Sequence, residues 1–412
     1  MRVSTSQIFR NGIETMQRNQ QELNRTQLQL GTGKRILSPS DDPSGAVQSL
    51  QLRSGVEKVE QFQRNGALLE QRLNFSETVL GSVIDGVQRV RELAVQGNNA
   101  TQTNETRGFI AGEIRQSLDA LLQLANSRDA NGEYIFAGNE SLTQPFVRGT
   151  NGDVEFKGDP QQRSLQISPV RQLRAGDSGQ DVFMNIPNGN GSFVVQDNTG
   201  NAGTGVVSST ALSGTWPSGA DFTVEFFKDD EGPLSYRIPD PDNPDGDPLV
   251  EKEFQSGQAI AYGSGEGVDA FSFGVTIDGR PEPGDRFDVT PAEGQDLFST
   301  YSQLADALEA GVSDPADQAR LNNAVNRALE DLDNALGNLL DVRASLGTRL
   351  QAVETQNRIN EDQVLQLRST LSEIEDLDYA EAISRFNLQQ TALQAAQQTY
   401  VQVQRLSLFN FL

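Results

Sequence analysis

Apolar residues recur every three and four positions over two long stretches of this chain. From Val59 the steps visit Val59, Phe62, Gly66, Leu69, Leu73, Ser76, Leu80, Val83, Val87, Val90 and Ala94, of which only Gly66 and Ser76 are not apolar. A second walk visits Leu321, Val325, Ala328, Leu332, Ala335, Leu339, Val342, Leu346, Arg349 and Val353, with Arg349 as its one polar position. A sustained 3.5-residue repeat predicts long helices packed side by side. Each seam has room for roughly fifty residues, or about 75–80 Å at 1.5 Å per residue. Asp42-Pro43 and Asp314-Pro315 start these helices with a capping carboxylate followed by proline at the first helical position. Shorter helices are predicted over 104–128, with Ile110, Ile114, Leu118, Leu121 and Ala125 on one face, and over 297–309. One narrow seam cannot bury several helices, so an antiparallel bundle follows.

The chain ends carry a weaker form of the same pattern. The first seam reads Phe9, Ile13, Met16, Gln20, Leu23, Gln27, Leu30; the last reads Ile383, Phe386, Gln390, Leu393, Gln397, Tyr400, Gln404. Each glutamine in place of a buried leucine forfeits about 1.5–3 kcal/mol. The expectation is that residues 1–35 and 380–412 become rigid only when neighbouring copies satisfy the amides and cover the apolar positions. A solvated helical hairpin is the alternative.

Between the helical flanks the pattern changes period. Residues 138–294 hold 23 of the 38 glycines and 13 of the 16 prolines, together with Trp216. Short alternating runs ("GEYIFAG", "VEFKGD", "SLQISP", "SFVVQD", "DFTVEFF", "LSYRIP", "FSFGVTIDG", "DRFDVTP") lie between Gly, Pro and Asp, as antiparallel strands do. The predicted fold is a mainly α helical rod, paired terminal helices plus an antiparallel bundle, with an inserted antiparallel β domain. Three parts follow: 1–42 with 372–412 as a terminal coiled coil, 43–137 with 296–371 as the bundle, and 138–295 as the β-rich insert.

Composition narrows the chemistry. The chain has 412 residues, a net charge of −24, and neither cysteine nor histidine. Thiol nucleophiles, Cys/His zinc sites, disulfides and imidazole acid–base catalysis are therefore excluded. The acidic balance argues against nucleic-acid and anionic-membrane partners. "MRVSTSQIFRNG" lacks the apolar core of a cleaved secretory signal, which leaves export through an uncleaved segment open.

Four motifs invite chemistry, and each has a simpler reading. "GTGKR" at 31–35 has Leu28 and Arg35 where a phosphate loop needs Gly and Ser or Thr, so Gly31 and Gly33 read as a helix stop. Asp240, Asp242, Asp245 and Asp247 in "PDPDNPDGDP" lack calcium-loop spacing and sit in a proline-stiffened turn. Glu373, Glu375, Asp376, Asp378 and Glu381 would need a concave setting to act as acid and base. Asp376 or Asp378 fits better as a helix cap, and Asp41, Asp42 and Pro43 as the matching joint on the other side. Arg89, Arg91 and Glu92 fit a charged outer helix face. No catalytic residue, metal site or cofactor is expected.

The segments "MRVSTSQIF", "GKRILSPSDDPSGA", "QRVRELAVQGNNATQTNETR", "LANSRDANGEYIFAG", "IEDLDYAEAISRFNLQQTALQAA" and "SLFNFL" resemble the flagellin superfamily of bacterial flagella. The beginning and end resemble its hook-associated branch, at the hook–filament junction, more than the bulk filament subunit. The resemblance covers about 1–140 and 296–412, and little of the insert beyond "GDRFDVTP".

The resemblance implies a non-enzymatic structural subunit needed for filament assembly and motility, with the bulk filament subunit as the alternative. It implies self-assembly into a ring or tube, hook-associated protein 1 on the hook side and flagellin on the filament side. It further implies passage through the flagellar export apparatus with a cytoplasmic chaperone, and a final place outside the cell. Arg89, Leu93 and Glu113 match a surface that an innate immune receptor senses on flagellin.

Overall fold

The computed structural model describes residues 5–209, 212–217, 219–229, 232–241, 243, 246–264 and 271–409. Six α-helices frame it: α1 (Thr5–Thr32), α2 (Pro43–Gly97), α3 (Asn104–Ala125), α4 (Leu297–Glu309), α5 (Pro315–Glu375) and α6 (Tyr379–Phe409). The chain divides into two compact units. One comprises 1–66, 167–170 and 355–412; the other comprises 67–166 and 171–354.

The two long seams are where the periodicity puts them. Every position of the walk from Val59 to Ala94 is buried, Gly66 and Ser76 included. On α5 all positions from Leu321 to Val353 are buried except the half-buried Val342. The helix starts are capped as expected. Asp42 accepts from Gly45 N at 2.9 Å, and Asp314 accepts from Asp317 N at 2.8 Å. Thr103 and Thr106 form a reciprocal cap at the start of α3.

Among the described residues the insert has two larger antiparallel sheets around one core and three two-stranded sheets. The strands Val250–Glu253, Leu234–Ile238, Phe222–Lys228, Arg286–Pro291 and Phe193–Asp197 form the larger sheet, in that spatial order. Ala259–Ser264, Phe271–Asp278 and Val206–Ser209 form the smaller. Phe222, Val224, Phe226, Ile260, Phe273, Val275 and Phe287 fill the space between, with Trp216 packed against them. The alternation of buried and less buried residues along Phe222–Lys228 is the strand period seen in the sequence.

Two parts of the insert depart from strand. "GEYIFAG" is a turn in which Tyr134, Ile135, Phe136 and Ala137 are all buried. Gln180–Met184 is a single π-helical turn burying both Val182 and Phe183. Both segments bury neighbours in sequence, as the strand Phe193–Asp197 also does with Phe193, Val194 and Val195. Phe183 then meets Phe136 and Phe146 edge to face, with ring centroids 5.1 and 5.4 Å apart, and Phe146 reaches Phe298 of α4 at 5.2 Å.

Candidate assembly face at the chain ends

The smaller unit is built around the joint that follows α1. Thr32 ends the helix and Gly33, at φ +70°, turns the chain, donating its N–H to Gln29 O at 2.9 Å. Only glycine takes that backbone conformation without strain. Gly31, by contrast, is still helical. Arg35 N then donates to Glu375 O at 2.6 Å, and Leu377 N to Gly33 O at 2.9 Å, which ties the joint to the end of α5.

Side chains reinforce the tie. Lys34 Nζ and Arg53 Nη2 reach Glu375 Oε2 at 2.9 and 2.5 Å. The hydrogen bond from Arg53, aided by Lys34 and opposed by burial, holds the Glu375 carboxyl down to about 2. Asp41 accepts from Leu37 N and Ser38 N at 3.1 and 3.0 Å and pairs with Arg25 at 3.0 Å. Pro43 is the first residue of α2. Asp378 caps α6 through Ala380 N and Glu381 N, while Asp376 pairs with Lys34 in a bridge and accepts from Ser372 Oγ. Glu375, Asp378 and Glu381 are thus engaged in ion pairs and a cap, Glu381 with Arg385. "GTGKR" is a structural joint, and Lys34 is one of its clamps.

The terminal pair, α1 with α6, packs on a seam whose phase differs from expectation at alternate positions. Phe9, Met16, Leu23 and Leu30 face inward as predicted, as do Phe386, Leu393 and Tyr400. Between them the seam uses Gly12, Asn19 and Thr26 on α1, and Ala382, Gln389 and Ala396 on α6. Ile13, Gln20, Gln27, Ile383, Gln390 and Gln397 are exposed; the side chain of Gln404 lies outside the described residues. Both phases fit a 3-4 repeat; Gly12, Ala382 and Ala396 let the helices approach, while Asn19, Thr26 and Gln389 bring polar groups onto the seam. Phe9 and Tyr400 meet edge to face at 5.9 Å, and a Cβ on Gly12 would lie 3.4 Å from the Tyr400 ring. The described glutamines of the expected seam therefore lie outside it, whereas Gln389 is on the seam with its Oε1 buried and without a hydrogen bond.

Exposed apolar side chains are denser in this unit, which holds 12 of the 19 large ones among the described residues, although Phe109 and Leu142 of the larger unit are exposed too. Leu28 is 60 % exposed and Leu388 69 %, and Ile13, Ile383, Val47, Leu50, Leu365 and Tyr379 are exposed as well. An apolar groove of about 340 Å³ opens between Phe9, Gly12, Ala396 and Tyr400. A second, of about 260 Å³, lies at the joint between Ile36, Pro39, Ala46 and Leu50.

The remaining expected residues are in the larger unit. Arg89 pairs with Glu113 at 2.8 Å and Glu92 at 3.1 Å, and Arg91 with Asp333 at 2.6 Å, so this is a charged outer face. Leu93 is 1 % exposed, so it does not share a surface with Arg89 and Glu113. Asp242 and Asp245 of the acidic turn lie outside the described residues. Among the described residues no group of three or more acidic side chains is placed to hold a metal ion, and no helix is long and apolar enough to cross a membrane.

Comparison with known proteins agrees with the architecture. The bacterial flagellin N-terminal helical region matches residues 3–141, and the bacterial flagellin C-terminal helical region matches 329–412. The flagellar hook-associated protein 3 of Salmonella typhimurium is 25 % identical over 409 residues, 99 % of either chain. The flagellin of Salmonella paratyphi A is 30 % identical, but over 148 residues, 34 % of this chain and 30 % of that one. The crystal structure of flagellar hook-associated protein 3 from Legionella pneumophila superposes with a TM-score of 0.71 at 29 % identity, covering 79 % of this chain and 98 % of that one.

Proposed function

This chain belongs to the bacterial flagellin superfamily, and from that premise we propose that it is the structural subunit joining hook to filament, not an enzyme and not the bulk filament protein. The observation that carries an assembly role is the apolar surface of the chain-end helices, where Leu28, Ile383 and Leu388 stand in water, as Gln20, Gln27, Gln390 and Gln397 do. A helix pair that has already used its seam internally keeps such a face for other chains. The choice of junction over filament rests on length. Likeness to hook-associated protein 3 runs through the insert, whereas likeness to flagellin stops after about a third of the chain.

In this reading copies of the chain form a ring or tube through α1 and α6, with hook-associated protein 1 on one side and flagellin on the other. Residues 1–42 with 372–412 make the inner contact, 43–137 with 296–371 the bundle, and 138–295 the outer part. The chain acts outside the cell, reached through the flagellar export apparatus with a chaperone. Deleting the protein in its own bacterium tests the reading. Bare hooks and flagellin spilled into the medium are expected, restored by the wild-type chain. Filaments of normal length in the deletion strain would overturn it.

A further inference from the structure

Beside its apolar seam, α5 carries a second stripe, polar and directed at the insert. Its members are Arg320, Asn323, Arg327, Asp331, Asn334 and Asn338, spaced by threes and fours along one side of the helix, and, about three turns on, Arg349. Arg320 Nη1 donates to Asn201 O at 2.8 Å. Asn323 donates to Gly205 O at 3.0 Å and accepts from Val207 N at 2.8 Å. Arg327 pairs with Asp197 at 2.5 Å, and Asp331 accepts from Gly189 N at 2.7 Å. Asn334 donates to Pro187 O and Gly189 O at 2.9 and 2.8 Å, and Asn338 to Asp181 O and Val182 O at 3.0 and 3.1 Å. Arg349 pairs with Asp177 at 2.5 Å.

The partners are mostly backbone groups of irregular segments. A carbonyl or N–H that has no ladder partner and is turned away from water needs a side chain to satisfy it. Carboxamides supply both a donor and an acceptor, which is why Asn323 can close on two residues at once. The order of partners also runs nearly backward along the insert as α5 advances, so one helix side reads the segment from its end to its start.

We propose that α5 is the template on which residues 177–207 of the insert take their fold, so that this segment stays open until the helix is in place. The segment precedes α5 by more than a hundred residues, so the growing chain makes it long before its template. The five-stranded sheet depends on it less, since Phe222–Lys228 is paired on both sides by strands of the insert itself. The insert is then not a separable module on a stalk.

Amide exchange on the full-length protein tests this. The variant combining Asn323→Ala, Asn334→Ala and Asn338→Ala is compared with the wild type at Asn185, Asn190 and Asn201, whose N–H groups bond within the insert and not to α5. Protection there falls about tenfold or more, while the amides of Phe222–Lys228 keep theirs. Unchanged protection at the three reporters, or an equal loss in the sheet, overturns the proposal. If the triple variant does not fold, Asn334→Asp keeps the shape and removes the two donated bonds. About threefold faster exchange at Asn185 and Asn190 supports the template, and no change there overturns it.

Discussion

The two units solve the problem of burying a helix in different ways. In the larger one Leu69, Leu73, Leu80, Val325, Leu332 and Leu339 are sealed, and the insert adds an aromatic core of its own. In the smaller one the buried apolar set shrinks to Val56, Val59, Phe62, Ile167, Val364, Leu377 and Ala382, and large apolar side chains stand exposed along α1, α5 and α6. Polar clamps replace packing there: Glu375 under Lys34 and Arg53, Asp41 across the joint, and Asp378 on α6. A unit held at its joint and unsatisfied on its outer face is suited to being completed by other chains. The larger unit, with its long buried seams and second core, has less need of other chains.

The largest test of that contrast is a pair of truncations read by chemical denaturation of the purified monomer. Leu332→Ala should cost about 2–5 kcal/mol, because it opens a cavity in a sealed seam. Leu23→Ala, on a half-exposed seam, should cost less than about 1 kcal/mol. Equal losses would erase the distinction between the units.

A smaller effect is expected at the joint. The Glu375 carboxyl is held down to about 2 from an ordinary 4.5, so its contribution is complete above pH 4.5 and fades as pH falls from there through 2. Its side chain is buried but Lys34 and Arg53 are about half exposed, which screens the pair. Glu375→Gln should cost on the order of 1–2 kcal/mol at pH 7 and flatten the acid limb of the unfolding curve. An acid limb identical to wild type would show that the clamp does nothing.

The smallest effect has the opposite sign and belongs to the larger unit. Burial pushes the Asp331 carboxyl up to about 6, only partly offset by the Gly189 N–H and nearby Arg327. The native state therefore holds this proton over a window where the unfolded chain has lost it. Its contribution is full below pH 3.8 and disappears as pH rises through 6. Asp331→Asn retains an acceptor for Gly189 and should remove that slope between pH 4 and 6, with little change at pH 5 in other respects. A slope that persists in the variant would assign it to other groups.

Much of this was legible in the residues. The walks from Val59 and Leu321 mark buried positions almost without exception, because a helix that must hide one side writes the period into its composition. Asp42-Pro43, Asp314-Pro315 and Asp378 announce helix starts, since capping is local chemistry. The terminal pair was legible only in half. Phe9, Met16 and Leu23 belong to either phase, and nothing local says whether Gly12 or Ile13 fills the gap. The roles of Asn323, Asn334 and Asn338 left no trace at all. An asparagine on a helix reads as solvated until the loop it serves is known to lie against it.

The chain alone determined which long segments are helix, where the long helices begin and that the insert is β-rich, because periodicity, caps and composition act over a few residues. The tertiary structure decided the phase of the α1–α6 seam, the clamps on Glu375 and the polar stripe of α5. Those depend on which surfaces distant segments bring together, and on which backbone groups are then left to be satisfied.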